Sequence, residues 1–179
     1  HHAWLDYQVL VFPDQKLGEM DQVRFTKGFG EPGGRNRKVP TAEGGSVSHP
    51  GIMLISNIRK DGKPIGSLPD GEMMFHSDGA YAKRPFRYTL LYAIEIPSVG
   101  GNTRFANMYK AYQYMPDALK SKLMGCHAKH QYYAGSVDKD KPTASLTGSR
   151  QHPLFIEHEE TSRIALYASR LLTTRILEL

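Results

Sequence analysis

An imidazole and a carboxylate two residues apart, His76 and Asp78, lie within Gly71-Glu72-Met73-Met74-Phe75-His76-Ser77-Asp78-Gly79-Ala80-Tyr81. On extended backbone, successive Cβ atoms alternate between the two faces, so residues two apart point the same way. The two side chains then converge on one point. An imidazole nitrogen and a carboxylate oxygen on one side of a strand are two of the three ligands of a 2-His-1-carboxylate facial triad, which leaves open positions on a non-haem Fe(II). Placing both on one short segment costs little chain entropy. The bare triplet also has a plainer reading, in which His76 hydrogen-bonds to Asp78 on a solvated strand end.

The rest of the chain sets the class of protein around that pair. At 179 residues it can bury one sizeable core, so a single domain over 1–179 is expected. With 40% hydrophobic and 23% charged residues, usage is ordinary for a globular domain and argues against extended disorder. No apolar run approaches the length of a membrane span, and no basic-then-apolar signal peptide opens the chain. A cytoplasmic protein with no membrane partner is expected. The lone Cys126 excludes an internal disulfide framework, which fits a reducing compartment.

A net charge of +5 raises nucleic acid as a partner. The basic residues are scattered, however, densest at Arg35-Asn36-Arg37-Lys38 and Arg59-Lys60, with no aromatic-interleaved platform around them. The expectation is a solvated surface, no nucleic-acid partner, and a positive field that steers small anions toward a site. A homo-oligomer is compatible with this composition.

Read in order, the chain opens on a helix end over residues 3–7, which implies a domain start before His1. A short buried strand is predicted over 8–12, stopped by Pro13, and a helix from Leu17 through Phe25 and Phe29, with Gly28 and Gly30 as stops. Residues 31–49 are glycine-rich and without period, a loop. A strand covered on both faces is predicted over 52–58, then turns at Lys60-Asp61-Gly62-Lys63 and Pro69-Asp70-Gly71. Residues 88–96 form the clearest predicted strand, with a composition suited to the centre of a sheet. Gly100 and Gly101 allow positive φ in a turn, and 102–105 return as a short strand.

Helices are predicted from Asn107 and, beyond Pro116, over 117–124 with Leu119 and Leu123 inward; they pack outside the sheet. Cys126-His127-Ala128-Lys129-His130 contains zinc-type ligands, but no second ligand pair follows at a usable spacing. Residues 131–148 read as polar and irregular. Residues 152–158 and 164–167 are predicted as a hairpin, and Thr173-Thr174-Arg175-Ile176 begins a further segment.

Four blocks carry a resemblance: residues 49–57, Phe75-His76-Ser77-Asp78, residues 99–109, and the run from His152 to Leu177. In this order and spacing the chain resembles the taurine/2,4-dichlorophenoxyacetate dioxygenase family. The resemblance implies a mainly β fold with flanking helices, a double-stranded β-helix or jelly roll of cupin type. It implies Fe(II), 2-oxoglutarate as cosubstrate, and O2. His76 and Asp78 match the metal ligands, and Thr103 matches the threonine that contacts a carboxylate of 2-oxoglutarate, a task suited to a neutral hydroxyl donor. Tyr81 falls where the family places an aromatic near substrate, and Leu172 where it lines the substrate cavity. His152 and His158 match histidines outside the metal shell.

In taurine-specific members a histidine shortly after Phe-Gly-Glu helps hold the sulfonate. Here Phe29-Gly30-Glu31 is followed by Pro32-Gly33-Gly34-Arg35, so taurine is not the expected substrate. The distal histidine ligand and the arginine that anchors 2-oxoglutarate match positions past Leu179. The expected domain is thus short of both its start and its last strands. The expected function is hydroxylation of an unactivated C–H bond in a small anionic molecule. The alternatives are a catalytically inactive jelly-roll binding or sensory module, and a nucleic-acid oxygenase.

Overall fold

The computed structural model describes residues 1–33, 49–66, 73–133 and 146–179, in which short antiparallel strands combine with a few short helices. The chain divides into two compact units, one formed by His1–Asp70 and Leu90–Tyr92, the other by Gly71–Thr89 and Ala93–Leu179. Among the described residues no helix is long and apolar enough to cross a membrane.

In the first unit, α1 (His2–Tyr7) stops at Gln8, whose φ of 62° turns the chain left-handed. Helix α2 (Glu19–Lys27) has acidic Glu19 and Asp21 in its first turn and basic Arg24 and Lys27 in its last, the arrangement that complements the helix dipole. The Asp21 carboxylate accepts from the Gly18 N–H at 3.0 Å, capping the start. The Tyr92 hydroxyl accepts from the Leu17 N–H at 3.1 Å and donates to the Gln15 carbonyl at 3.3 Å, so it pins the chain ahead of the helix. Val23 is the buried side chain of α2. Strands β1 (Arg59–Lys60) and β2 (Lys63–Pro64) pair around Asp61 and Gly62, whose φ values of 51° and 73° suit a tight hairpin turn.

Two predicted strands of this unit are not ladders. Residues 9–12 carry no strand pairing, and Val11 is 83% exposed. The left-handed Gln8 redirects the chain, and Phe12 spends its ring on an edge contact with Phe25, centroids 5.5 Å apart. Over residues 52–58 the outcome is covering on one side only: Ile52 and Leu54 are half-buried while Met53 and Ile55 are exposed.

The second unit holds the larger sheet. Helix α3 (Met108–Gln113) is capped by the Asn107 side chain, which accepts from the Lys110 N–H at 3.0 Å, and α4 (Asp117–Leu123) follows Pro116. Then come β3 (His127–Tyr133), β4 (Leu146–Pro153), β5 (Phe155–Glu157), β6 (Ile164–Leu166) and β7 (Thr173–Ile176). Strand β3 is central, antiparallel to β4 on one side and β7 on the other, with His130 opposite Arg150 and Thr173. Strands β5 and β6 form a separate hairpin. It is tied to the sheet by Leu154 N–H to the Cys126 carbonyl at 2.8 Å and Tyr167 N–H to the Leu154 carbonyl at 2.7 Å.

Along β3, Ala128 and His130 are buried, as alternation on a one-sided sheet requires. One core cluster comprises Leu123, Cys126, Ala128 and Leu154; the other comprises Ala80, Leu171 and Leu172, with Met73, Met74, Tyr81, Tyr132 and Tyr167 against it. Cys126 is therefore a core thiol.

Sequence and structure part most clearly at residues 88–96. No strand forms there, and Leu91, Ile94 and Ile96 are 67%, 79% and 74% exposed. β-branched composition describes a fit to a half-buried pleated surface, and none of the described segments pairs with this one. The predicted strand at 102–105 is unpaired for the same reason, although Gly100 and Gly101 do take positive φ, 78° and 67°.

The predicted 152–158 strand is split at Leu154, with His152 in β4 and Phe155–Glu157 in β5. Leu119 points outward at 44% exposure. Residues 131–133 and 146–148, expected to be irregular, belong to β3 and β4. The expected loop at 34–48, the turn at 69–71 and the segment 134–145 lie outside the described residues.

Candidate functional site

His76 and Asp78 come together, with Nε2 of His76 3.2 Å from Oδ1 of Asp78. The backbone that achieves this differs from the simple strand expected. Residues 73–77 carry no strand ladder, and 78–81 form a turn in which Gly79 takes a φ of 71°. That left-handed position suits glycine and bends the chain immediately after the carboxylate.

The turn is held by Ala80 N–H to the Ser77 carbonyl at 3.3 Å and Ala82 N–H to the Gly79 carbonyl at 2.8 Å. Leu171 N–H donates to the Phe75 carbonyl at 3.1 Å, and Nε2 of His152 donates to the Ala82 carbonyl at 3.0 Å. Two remote segments thus bracket the pair. This is what His152, matched to a histidine outside the metal shell, does here.

The hydrogen bonds around the pair leave two electron-rich atoms facing one another. Nδ1 of His76 lies 3.0 Å from the Met74 carbonyl, which only accepts, so the proton sits on Nδ1 and the Nε2 lone pair points at the carboxylate. The other carboxylate oxygen, Oδ2 of Asp78, accepts from the Thr89 hydroxyl at 2.7 Å. A lone pair and a carboxylate oxygen 3.2 Å apart repel unless a cation lies between them.

A proton meets that need. The hydrogen bond to Asp78 raises the pKa of His76 against the opposing effect of burial, with help from the Met74 carbonyl. The same bond lowers that of Asp78, with the Thr89 hydroxyl adding to it. A metal ion fits the same spacing: two ligand atoms about 2.1 Å from an ion and at right angles lie about 3 Å apart. The His76 ring, with its second nitrogen on a carbonyl, also has the usual orientation of a metal-bound histidine. The donor set therefore fits a divalent cation at two of its positions.

The side chains of His76 and Asp78 are 31% and 43% exposed, so the ion would be reachable from solvent. Among the described residues no third His, Cys, Asp or Glu joins them.

The other predicted site residues fall in two places. Tyr81 and Leu172 meet in one apolar cluster, where Leu172 is 2% exposed and the Tyr81 ring stacks on Tyr132 with centroids 4.9 Å apart. Gly148 on β4 makes this stack possible, since a Cβ at that position would stand 2.7 Å from Cδ2 of Tyr81. Thr103 lies on an exposed, unpaired stretch and shares no hydrogen bond with His76 or Asp78.

Sequence reading passed over Thr89, Tyr132 and Gly148. Thr89 was hidden inside a predicted strand, and its partner lies 11 residues away. Tyr132 and Gly148 fall in the stretch that reads as irregular from sequence and that the structure gives to β3 and β4.

Beside this cluster, His130 is 1% exposed and burial lowers its pKa to about 4, with His152 adding to the effect. The Thr173 hydroxyl accepts from the Ser169 N–H at 2.9 Å and is hydrogen-bonded to Nδ1 of His130 at 3.3 Å. Nε2 of His130 is buried without a partner among the described residues, as are the hydroxyls of Tyr167 and Ser169. Burial raises the Tyr167 pKa to about 12.

Comparison with known proteins follows the same direction as this geometry. A sequence model described as "Taurine catabolism dioxygenase TauD, TfdA family" matches residues 1–179. Pentalenolactone F synthase of Streptomyces avermitilis is 35% identical over 191 residues, covering 96% of this chain and 61% of the relative. The (S)-phenoxypropionate/alpha-ketoglutarate-dioxygenase of Sphingobium herbicidovorans is 28% identical, over 94% of this chain and 60% of its own length. The alpha-ketoglutarate-dependent 2,4-dichlorophenoxyacetate dioxygenase of Cupriavidus pinatubonensis is likewise 28% identical, over 89% and 59%. The chain thus spans about three-fifths of the length of the curated relatives it matches.

Proposed function

The chain belongs to the TauD/TfdA dioxygenase family, and on that premise we propose that the protein is an Fe(II)- and 2-oxoglutarate-dependent dioxygenase that hydroxylates an unactivated C–H bond of a small anionic substrate. The observation that carries this reading is the facing of His76 Nε2 and Asp78 Oδ1 at 3.2 Å, with the remaining polar atom of each side chain already engaged. In this reading His76 and Asp78 hold the iron. Residues 1–179 are part of one oxygenase domain with a jelly-roll fold.

When bound, the iron lets O2 oxidise 2-oxoglutarate to succinate and CO2; one oxygen atom enters succinate and the other becomes the hydroxyl of the product. The residues of this chain orient and shelter that reaction. His76 and Asp78 act as ligands and carry no acid-base duty. Thr103 would donate to a carboxylate of bound 2-oxoglutarate. Tyr81 and Leu172, with Tyr132 behind Tyr81, form the apolar side of the substrate pocket and keep water from the oxidant.

Two relatives carry phenoxyalkanoates in their names, and the stacked tyrosines beside an apolar cluster support a substrate with an organic body and an acidic group. The partner is a small molecule, with neither nucleic acid nor membrane required, and the enzyme acts in the cytoplasm. The test is succinate formation by the full-length protein with Fe(II), ascorbate, 2-oxoglutarate and a panel of small carboxylates. Iron-dependent succinate is the expected result. None from any candidate substrate at saturating Fe(II) would favour an inactive binding or sensory module.

A further inference from the structure

We propose that Thr89 is the positioning residue that holds Asp78 as a one-oxygen ligand, an inference that rests on the metal-binding reading of His76 and Asp78. Thr89 Oγ1 donates to Asp78 Oδ2 at 2.7 Å, a short bond of the kind made to a charged acceptor. A hydroxyl has one proton, and here it goes to the carboxylate oxygen that faces away from His76. The oxygen left over is Oδ1, the atom that faces His76 Nε2. One hydrogen bond therefore selects which oxygen meets the ion and weakens the other as a ligand.

The selection matters because of how many positions the chemistry needs. An iron with three protein ligands has three positions left, and a bidentate 2-oxo acid with O2 uses all of them. A carboxylate that chelated through both oxygens would occupy the place of O2. Thr89 keeps Oδ2 occupied and that place open. Hydrogen bonds to ligating carboxylates typically carry about 10- to 100-fold in metal affinity. Because Thr89 is exposed, exchanging its side chain leaves the core intact.

The experiment compares full-length wild type with Thr89→Val, which keeps the shape and loses the hydroxyl, and Thr89→Ser, which keeps the hydroxyl. Anaerobic Fe(II) titration by calorimetry and the visible charge-transfer absorption of the Fe(II)–2-oxoglutarate complex are read alongside thermal unfolding. The expected result is a Thr89→Val affinity about 10- to 100-fold weaker with an altered absorption band, and Thr89→Ser within about threefold of wild type. Thr89→Val binding and absorbing like wild type would overturn the role of Thr89, as would Thr89→Ser failing to restore either signal. Wild type that takes up no Fe(II) would instead overturn the metal-binding reading beneath it. Thr89→Ala serves as a second hydroxyl-free variant should Thr89→Val unfold.

Discussion

The second unit contains two histidine environments that use the same ring in opposite ways. His76 is partly open to solvent, has a carbonyl on one nitrogen and a carboxylate facing the other, and its pKa is raised. His130 is sealed inside the sheet, has a hydroxyl on one nitrogen and, among the described residues, no partner on the other, and its pKa falls to about 4. Residue type is identical in the two places. The difference is whether the surroundings offer negative charge or only desolvation, and it decides whether the ring attracts a cation or refuses even a proton.

The largest expected effect separates the two sites outright. His76→Ala or Asp78→Ala in the full-length protein should reduce iron-dependent succinate formation to background with the fold retained, as judged by circular dichroism. Unaltered turnover in either variant would remove the metal assignment and erase the contrast.

Acid provides the next test. The unfolded chain protonates His130 near its ordinary 6.5, while the folded protein resists until about 4. Its contribution to stability is therefore complete above about pH 6.5 and drains away as the pH falls toward 4, by up to about 3 kcal/mol. Chemical denaturation across that window, on wild type against His130→Gln, isolates the effect. Parallel stability curves for the two proteins would show that His130 is already hydrated.

A smaller effect is expected between the sites, at the tyrosine stack. Gly148→Ala should displace the Tyr81 ring, costing about 1–3 kcal/mol and raising the KM for substrate while leaving Fe(II) affinity in place. Smallest of all, Tyr167→Phe removes a buried hydroxyl that has no partner among the described residues, so stability should hold or rise by about 1 kcal/mol in thermal unfolding. A loss of more than that would reveal a hydrogen-bonded water behind Leu172.

The convergence of His76 and Asp78 was legible because its logic is local: side chains two residues apart need little chain to meet. The turn at Gly79 that accompanies it was not, since the stretch reads as extended strand. The helix start at Asn107 and the hairpin turn at Asp61-Gly62 were legible, since a cap and a positive φ act within a few residues. The strand expected at 88–96 was not legible in the same way: its residues prefer a sheet, but pairing depends on a partner that residue type does not name. Thr89 shows the consequence at the site itself, since as a strand residue it looked like packing and only its distance to Asp78 gave it a task.

From the order of residues alone come the family, the meeting of His76 with Asp78, and turns such as that at Asp61-Gly62, because each is written in a few consecutive residues. Only the tertiary structure decided that His130 is neutral, that Tyr81 lies between Gly148 and Tyr132, and that Thr89 reaches one oxygen of Asp78. Those are outcomes of burial and of contacts between distant segments, and the energy of such contacts depends on which surfaces meet.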